Sequence, residues 1–173
     1  MVTQFCSKTI LLIIICKFFG QIVQCFLIRF NLLRKIMQQN ISECFYRISV
    51  KALILDGEKR FLLIKELGGK WEFPGGGLDF GESARDGLSR EIAEEMGLDV
   101  TFVADVPSCF QTFQKENGQW SANIIYVTKV KDLDFTPSDE CVEVRFFTKE
   151  EALRENLFSN VADFVTMYDS ENY

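Results

Sequence analysis

The stretch GGGLDFGESARDGLSREIAEEMGL, Gly75 to Leu98, decides the fold. Within it, Glu91, Glu94 and Glu95 stand at i, i+3 and i+4. On an α-helix those three side chains share one face, with Cβ atoms about 5–6 Å apart. Like charges repel, and these lie in the last turn, where the helix dipole disfavours anions. Arg90 can pair with Glu94 but cannot neutralise all three. A local conflict of this kind often marks a functional site. A hard divalent cation would resolve it, because Mg²⁺ and Mn²⁺ prefer carboxylate, carbonyl and water oxygens. A solvated glutamate-rich helix end is the plainer alternative.

The helix itself is predicted from about Ser83 to Met96. Ser83 is a good N-cap with Asp86 three residues on. Ala84, Leu88 and Ile92 form the buried stripe, and Gly97 closes the helix. Gly87 inside it costs about 1 kcal/mol relative to alanine, so close packing is expected there. Upstream, Pro74-Gly75-Gly76-Gly77 permits close backbone approach, and its carbonyls are candidate oxygen ligands. Glu82 precedes the helix, within reach of Arg90 if the loop folds back.

Outward from this stretch the pattern is strand-like. Cys44 to Asp56 alternates apolar and polar residues, as a half-buried strand does. Asp56-Gly57 turns it into a second strand, Arg60 to Lys65, which predicts a hairpin. Trp71 to Phe73 is a short strand halted by Pro74. Val100 to Phe113 reads as one or two strands broken near Pro107, and Trp120 to Val130 returns after the Asn117-Gly118 turn. Glu143 to Phe147 is a further strand. Thr148 to Glu151 opens a helix with a capping box, and a last helix covers Asn160 to Tyr168. Strands and helices mix without strict alternation, which predicts an α/β fold with a mixed β-sheet flanked by helices.

Bulk properties bound the function. The 173 residues suit one domain, residues 41–173, behind an apolar leader, residues 1–40. The leader carries five basic groups and no acidic one; subtracting them leaves 14 basic against 25 acidic groups, a net of −11, in residues 41–173. General nucleic-acid binding is therefore not expected, since it rests on lysine and arginine. The chain has no histidine, which removes histidine bases, His-ligated zinc and the Ser-His-Asp triad. Its six cysteines include no CxxC pair. Reduced thiols and a cytoplasmic setting are the simpler reading.

Thr9 to Leu33 is long and apolar enough to reach across a bilayer, but Lys17, Gln21, Gln24 and Arg29 interrupt it. Three readings stand: translation starting at Met37, a signal-anchor helix, or an amphipathic helix on a membrane surface. Under the last two, residues 9–33 contact a membrane and the protein is anchored there.

Gly76, Glu82, Arg90, Glu91, Ile92, Glu94, Glu95, Gly97 and Leu98 match every fixed position of G-x5-E-x7-R-E-U-x-E-E-x-G-U, where U is a bulky aliphatic residue. This is the signature of the Nudix hydrolases, which the chain resembles over roughly residues 44–170. The preceding WEFPGG, Trp71 to Gly76, resembles that family's approach to its box. The resemblance implies a Nudix-type α/β/α sandwich. It implies a hydrolase that cleaves a nucleoside diphosphate linked to another moiety and needs Mg²⁺ or Mn²⁺. It further implies that Glu91, Glu94 and Glu95 hold the metal and catalyse, with Glu91 a candidate for activating water. The Gly75 carbonyl becomes a further ligand. Glu82 and Arg90 become a structural pair, and Gly76 and Gly97 support the box. Glu143 or Glu140 could be the later glutamate that some members use.

For the substrate itself the signals are fewer. Phe110, Phe113, Trp120 and Phe146 are candidates to stack on a base, although strand aromatics are mostly core. A proline that ADP-ribose hydrolases of this family carry after the box is missing from residues 112–116. The expected partner is a small nucleotide. The alternatives are an RNA 5′-end pyrophosphohydrolase and a Nudix-like module that binds a nucleotide without cleaving it.

Overall fold

Among the described residues, alternation of side chains along seven strands builds two sheets with a helix-bearing core on each face. The structure, a computed structural model, describes residues 45–138 and 140–173. The leader readings, the Met37 start and Cys44 lie outside those residues. Strand β1 (Arg47–Leu53) runs parallel to β6 (Trp120–Val130). β5 (Cys109–Gln114) and β4 (Val100–Val103) pair antiparallel with β6. That sheet is mixed, as expected. A second, antiparallel sheet has the order β3 (Trp71–Glu72), β2 (Phe61–Lys65), β7 (Glu143–Phe147). The break near Pro107 separates β4 from β5.

The predicted β1–β2 hairpin is only half right. The Asp56 turn exists: Asp56 N–H donates to Arg60 O at 3.1 Å and Leu62 N–H to Ile54 O at 2.9 Å. Beyond those bonds the strands part into different sheets, because β6 takes one edge of β1 while β3 and β7 flank β2. Turn chemistry fixed the reversal, but the choice of ladder partner is long-range.

The pleat divides the apolar residues between two cores. Val50, Ala52, Leu62 and Ile64 pack with Leu88, Ile92 and Met96 of helix α1 (Ala84–Met96). Leu53, Phe61, Leu63 and Ile125 pack with Val161, Phe164 and Val165 of α3 (Ser159–Met167). Between them in sequence, the short α2 (Lys149–Ala152) starts at the predicted Thr148 capping box. The layers are therefore α1, sheets, α3: the α/β/α sandwich expected of a Nudix-type chain.

Helix α1 keeps its predicted ends. The Ser83 hydroxyl accepts from Asp86 N–H at 3.2 Å, and Gly97, at φ +69°, donates to Ala93 O at 3.0 Å. Gly87 has its packing reason: a Cβ there would come within 2.5 Å of the Leu78 side chain and 3.1 Å of Glu82 Oε2.

Candidate active site

The glycine run is laid onto the edge of β1. Val50 N–H donates to Gly76 O at 2.9 Å, Ala52 N–H to Pro74 O at 2.8 Å, and Leu78 N–H to Ile48 O at 3.1 Å. Gly75 has φ +109°, and a Cβ there would collide with the carbonyl of Val50. A Cβ on Gly76 would overlap the Glu91 carboxylate. A Cβ at Gly75 would meet backbone, and one at Gly76 would have to push the Glu91 carboxylate aside, so the box helix and β1 close on the loop from both sides.

Arg90 ties loop to helix. Its Nε and Nη2 donate to Glu82 Oε1 and Oε2, each at 2.9 Å, a two-pronged pair. Nη2 also donates to Gly77 O at 3.1 Å, while Nη1 reaches Glu91 Oε1 at 2.8 Å and Glu94 Oε2 at 3.2 Å. The Arg90 hydrogen bonds, with the Asp79 N–H, hold the Glu82 carboxyl down at about 2.

The three glutamates share a helix face but not an environment. Glu95 is buried, and its Oε2 accepts the Gly75 N–H at 2.8 Å. Glu91 lies against Gly76, whereas the Glu94 side chain is 60 % exposed. Burial pushes the Glu95 carboxyl up to about 7, and Glu91 and Glu140 add to the rise while Lys51 and the Gly75 N–H oppose it.

Lys51 stands among the polar residues of the alternating strand β1, yet it is only 8 % exposed. Its ammonium donates to Phe73 O at 3.1 Å and to Gly75 O, and lies 3.9 Å from Glu72 Oε2. Both oxygens of buried Glu72 accept from Asn160 Nδ2, at 3.0 and 3.2 Å, which ties α3 to β3. Lys51, Glu72, Gly76 and Gly77 border a cavity of about 520 Å³ that also takes in Phe113, Asn123 and Phe158. A larger cavity, about 900 Å³, is bordered by Leu55, Lys59, Val127 and Tyr173 and includes no box residue.

Of the aromatic candidates, only Phe113 reaches the cavity beside the box. Phe110 is the odd-numbered step away from Gln111 and Phe113 on β5, so the pleat turns it to the opposite face, where it is exposed. Trp120 alternates likewise with Ser121 and meets Tyr46 edge-on at 6.1 Å. Phe146 packs against the α1 core. Glu143 is engaged by Lys65 at 3.1 Å, and of these two candidates Glu140 is the one whose charge adds to the rise at Glu95. Lys51, Glu72, Asn123, Phe158 and Asn160 were not singled out from sequence. The one available signal was that Ser49 and Lys51 share one face of the alternating strand on which the glycine loop lies.

A family model described as the NUDIX domain matches residues 45–168. The chain belongs to this family. Among solved structures, the MutT protein of Methanosarcina mazei Go1 is 29 % identical with a TM-score of 0.65, over 75 % of this chain and 97 % of that one. A NUDIX hydrolase from Nitrosomonas europaea shares the fold at 21 % identity and TM-score 0.60, over 71 % and 87 % of the two chains. An RNA pyrophosphohydrolase of Ruthia magnifica subsp. Calyptogena magnifica is 46 % identical over 54 residues, 31 % of this chain and 30 % of that protein. This chain thus spans less than half the length of the curated relatives it matches.

Nudix enzymes work with a divalent metal such as Mg²⁺, and the donor chemistry here fits one. Three carboxylates and a carbonyl are hard oxygen donors, and the Gly75 carbonyl already receives a cationic group, the Lys51 ammonium. Among the described residues no three acidic side chains converge as a finished cage. Arg90 holds Glu91 and Glu94, so a metal drawing on those two carboxylates would have to displace its contacts.

Among the described residues no helix is long and apolar enough to cross a membrane.

Proposed function

We propose that this Nudix chain is a divalent-metal-dependent hydrolase that cleaves the pyrophosphate bond of a nucleoside diphosphate carrying another moiety. The observation that carries the reading is the Glu95 carboxylate, buried on the box helix, bonded to the Gly75 N–H at 2.8 Å and pushed up to about 7 by burial. Glu91, Glu94, Glu95 and the Gly75 carbonyl would hold Mg²⁺ or Mn²⁺. Such an ion neutralises phosphate charge, polarises phosphoryl oxygens and acidifies water. Arg90 and Glu82 keep the helix registered against the loop, so the acidic groups meet substrate pre-aligned. Glu91, against Gly76 at the border of the cavity, takes the proton of the attacking water. Lys51, buried beside the same loop, adds a fixed positive charge that favours a polyanionic substrate.

RNA 5′ ends are the second reading. The name of the Ruthia relative favours it, and the net charge of −11 over residues 41–173 opposes it. The test is a panel of nucleotide sugars, dNTPs, dinucleoside polyphosphates, ADP-ribose and 5′-triphosphate RNA, with and without Mg²⁺ or Mn²⁺. Metal-dependent release of a nucleoside monophosphate is expected. Glu94→Gln and Glu95→Gln should each lower kcat by about 10²-fold or more, in the range for lost electrostatic stabilisation. Turnover at the wild-type rate in both variants overturns the metal assignment. Binding without turnover favours the non-catalytic module.

A further inference from the structure

Lys51 stands on β1, outside every fixed position of the Nudix signature, and it is buried. A lysine is almost never buried without partners, because its charge must be compensated. The partners here are unusual. The ammonium donates to Phe73 O at 3.1 Å and to Gly75 O, the two carbonyls on either side of Pro74, and lies 3.9 Å from Glu72 Oε2. Glu72 is held in turn by Asn160. One of those carbonyls, Gly75 O, is the one that the metal reading assigns to the ion. The same residue's N–H donates to Glu95 Oε2 at 2.8 Å. The Lys51 charge is also felt at Glu95, where it opposes the rise caused by burial. In the free protein the ammonium therefore does, for this carbonyl and this carboxylate, part of what a divalent ion would do.

We propose that Lys51 is a positioning residue, the resident cation of the box loop: its ammonium holds the Gly75 carbonyl in the metal-free protein and competes with the divalent ion for it. The proposal rests on the metal-dependent reading above. A carbonyl oxygen has two lone pairs, so geometry alone lets it accept twice. Charge opposes the sharing. An ammonium and a divalent cation on one oxygen repel each other, several times more strongly in a buried site than in water. Either the ammonium gives up its place or the ion binds against its field. In both cases the protein holds metal less tightly than a neutral side chain at this position would allow. The counterpart is a loop that stays in place without metal, since Lys51 fastens both carbonyls beside Pro74 to β1.

The experiment titrates Mg²⁺ alone into the full chain by calorimetry at pH 8.5, where the Glu95 carboxyl, at about 7, is ionised. Lys51→Met should bind Mg²⁺ about tenfold or more tightly than wild type, a gain of about 1.4 kcal/mol or more. Lys51→Arg keeps the charge and should return the affinity toward the wild-type value. Removing one partner of a buried pair leaves the other uncompensated, so Lys51→Met should also melt lower without metal and regain more on adding Mg²⁺ than wild type does. If that variant does not fold, the same comparison is made in a Glu72→Gln background, where no buried carboxylate is left behind at that position. Tighter binding is a result that mere damage to the loop does not produce. An Mg²⁺ affinity equal to or weaker than the parent's in a folded Lys51→Met protein overturns the proposal, and so does an equal gain in Lys51→Arg. No Mg²⁺ binding in any form overturns this proposal and the metal-dependent reading together. Metal-dependent turnover with an unchanged affinity sinks this proposal and leaves the hydrolase standing; binding that tightens in Lys51→Met without turnover in any form does the reverse.

Discussion

Glu95 is where the chemistry of a single residue has a global readout. Its carboxyl is raised to about 7 by burial, against a usual value of 4.5. In metal-free protein the native state therefore holds a proton that the unfolded chain has lost between those values. Stability is fully present below about 4.5 and declines as pH rises to about 7, by on the order of 3 kcal/mol from this group. Urea melts at a series of pH values without metal should show that decline, and Glu95→Gln should remove it. Lys51 opposes the shift, so Lys51→Met should move the decline to higher pH; an unmoved profile would disprove the electrostatic coupling. Gly76→Ala makes a different point. The added Cβ lands on the Glu91 carboxylate, and a misplaced catalytic group costs about 10²-fold in rate. The expected signature is a fall in kcat with little change in metal-free binding of a nucleoside monophosphate.

At the scale of elements, the loop and α1 act as one unit because Arg90 grips Glu82, Gly77, Glu91 and Glu94. Arg90→Gln removes most of those contacts. Limited proteolysis should then cut within residues 77–82 faster than in wild type, and the melting temperature should fall by several degrees. Resistance equal to wild type would mean that the strand-like bonds of the loop to β1 suffice. Those bonds explain why the loop is not an ordinary glycine turn: its carbonyls and amides serve β1 as an extra strand would. The bonds from Glu72 to Asn160 are the corresponding tie at the other layer, linking β3 to α3 across the floor of the cavity.

For the whole molecule, the reading of residues 41–173 as the working domain remains a proposal with a direct check. The family match begins at residue 45, so a chain starting at Met37 should keep the circular dichroism, melting temperature and hydrolytic rate of the full chain. Loss of cooperative melting on that truncation would refute it. Ligand linkage gives a second check: Mg²⁺ or Mn²⁺ at 100 times its dissociation constant should stabilise the fold by about 2.7 kcal/mol. The gain should vanish in a Glu94→Gln, Glu95→Gln double variant. A wild-type melting temperature indifferent to both ions removes the metal site.

The box was legible because its information is local. Gly76, Glu82, Arg90 and glutamates one helical turn apart stand at fixed spacings within 23 residues, where the resemblance to the Nudix signature is carried, and the Ser83 and Gly97 caps are as local. Sheet partnership was not legible in the same way. The Asp56 turn announced a hairpin, yet β1 bonded to β6 some seventy residues away, a pairing that no local pattern encodes. The polar residues of β1 followed from that pairing. Alternation placed Ser49 and Lys51 on one face; whether that face met water or a cavity depended on where β5, β6 and α3 came to lie. Phe110 and Phe113 look equivalent in a sequence of strand aromatics, and only the register of β5 on β6 sends one outward and the other to the cavity. Sequence by itself determined the box helix, the loop it clasps and the family; tertiary structure alone decided which polar groups are buried beside them. The reason is physical: helix spacing and backbone freedom are set by neighbours along the chain, whereas desolvation is set by neighbours in space.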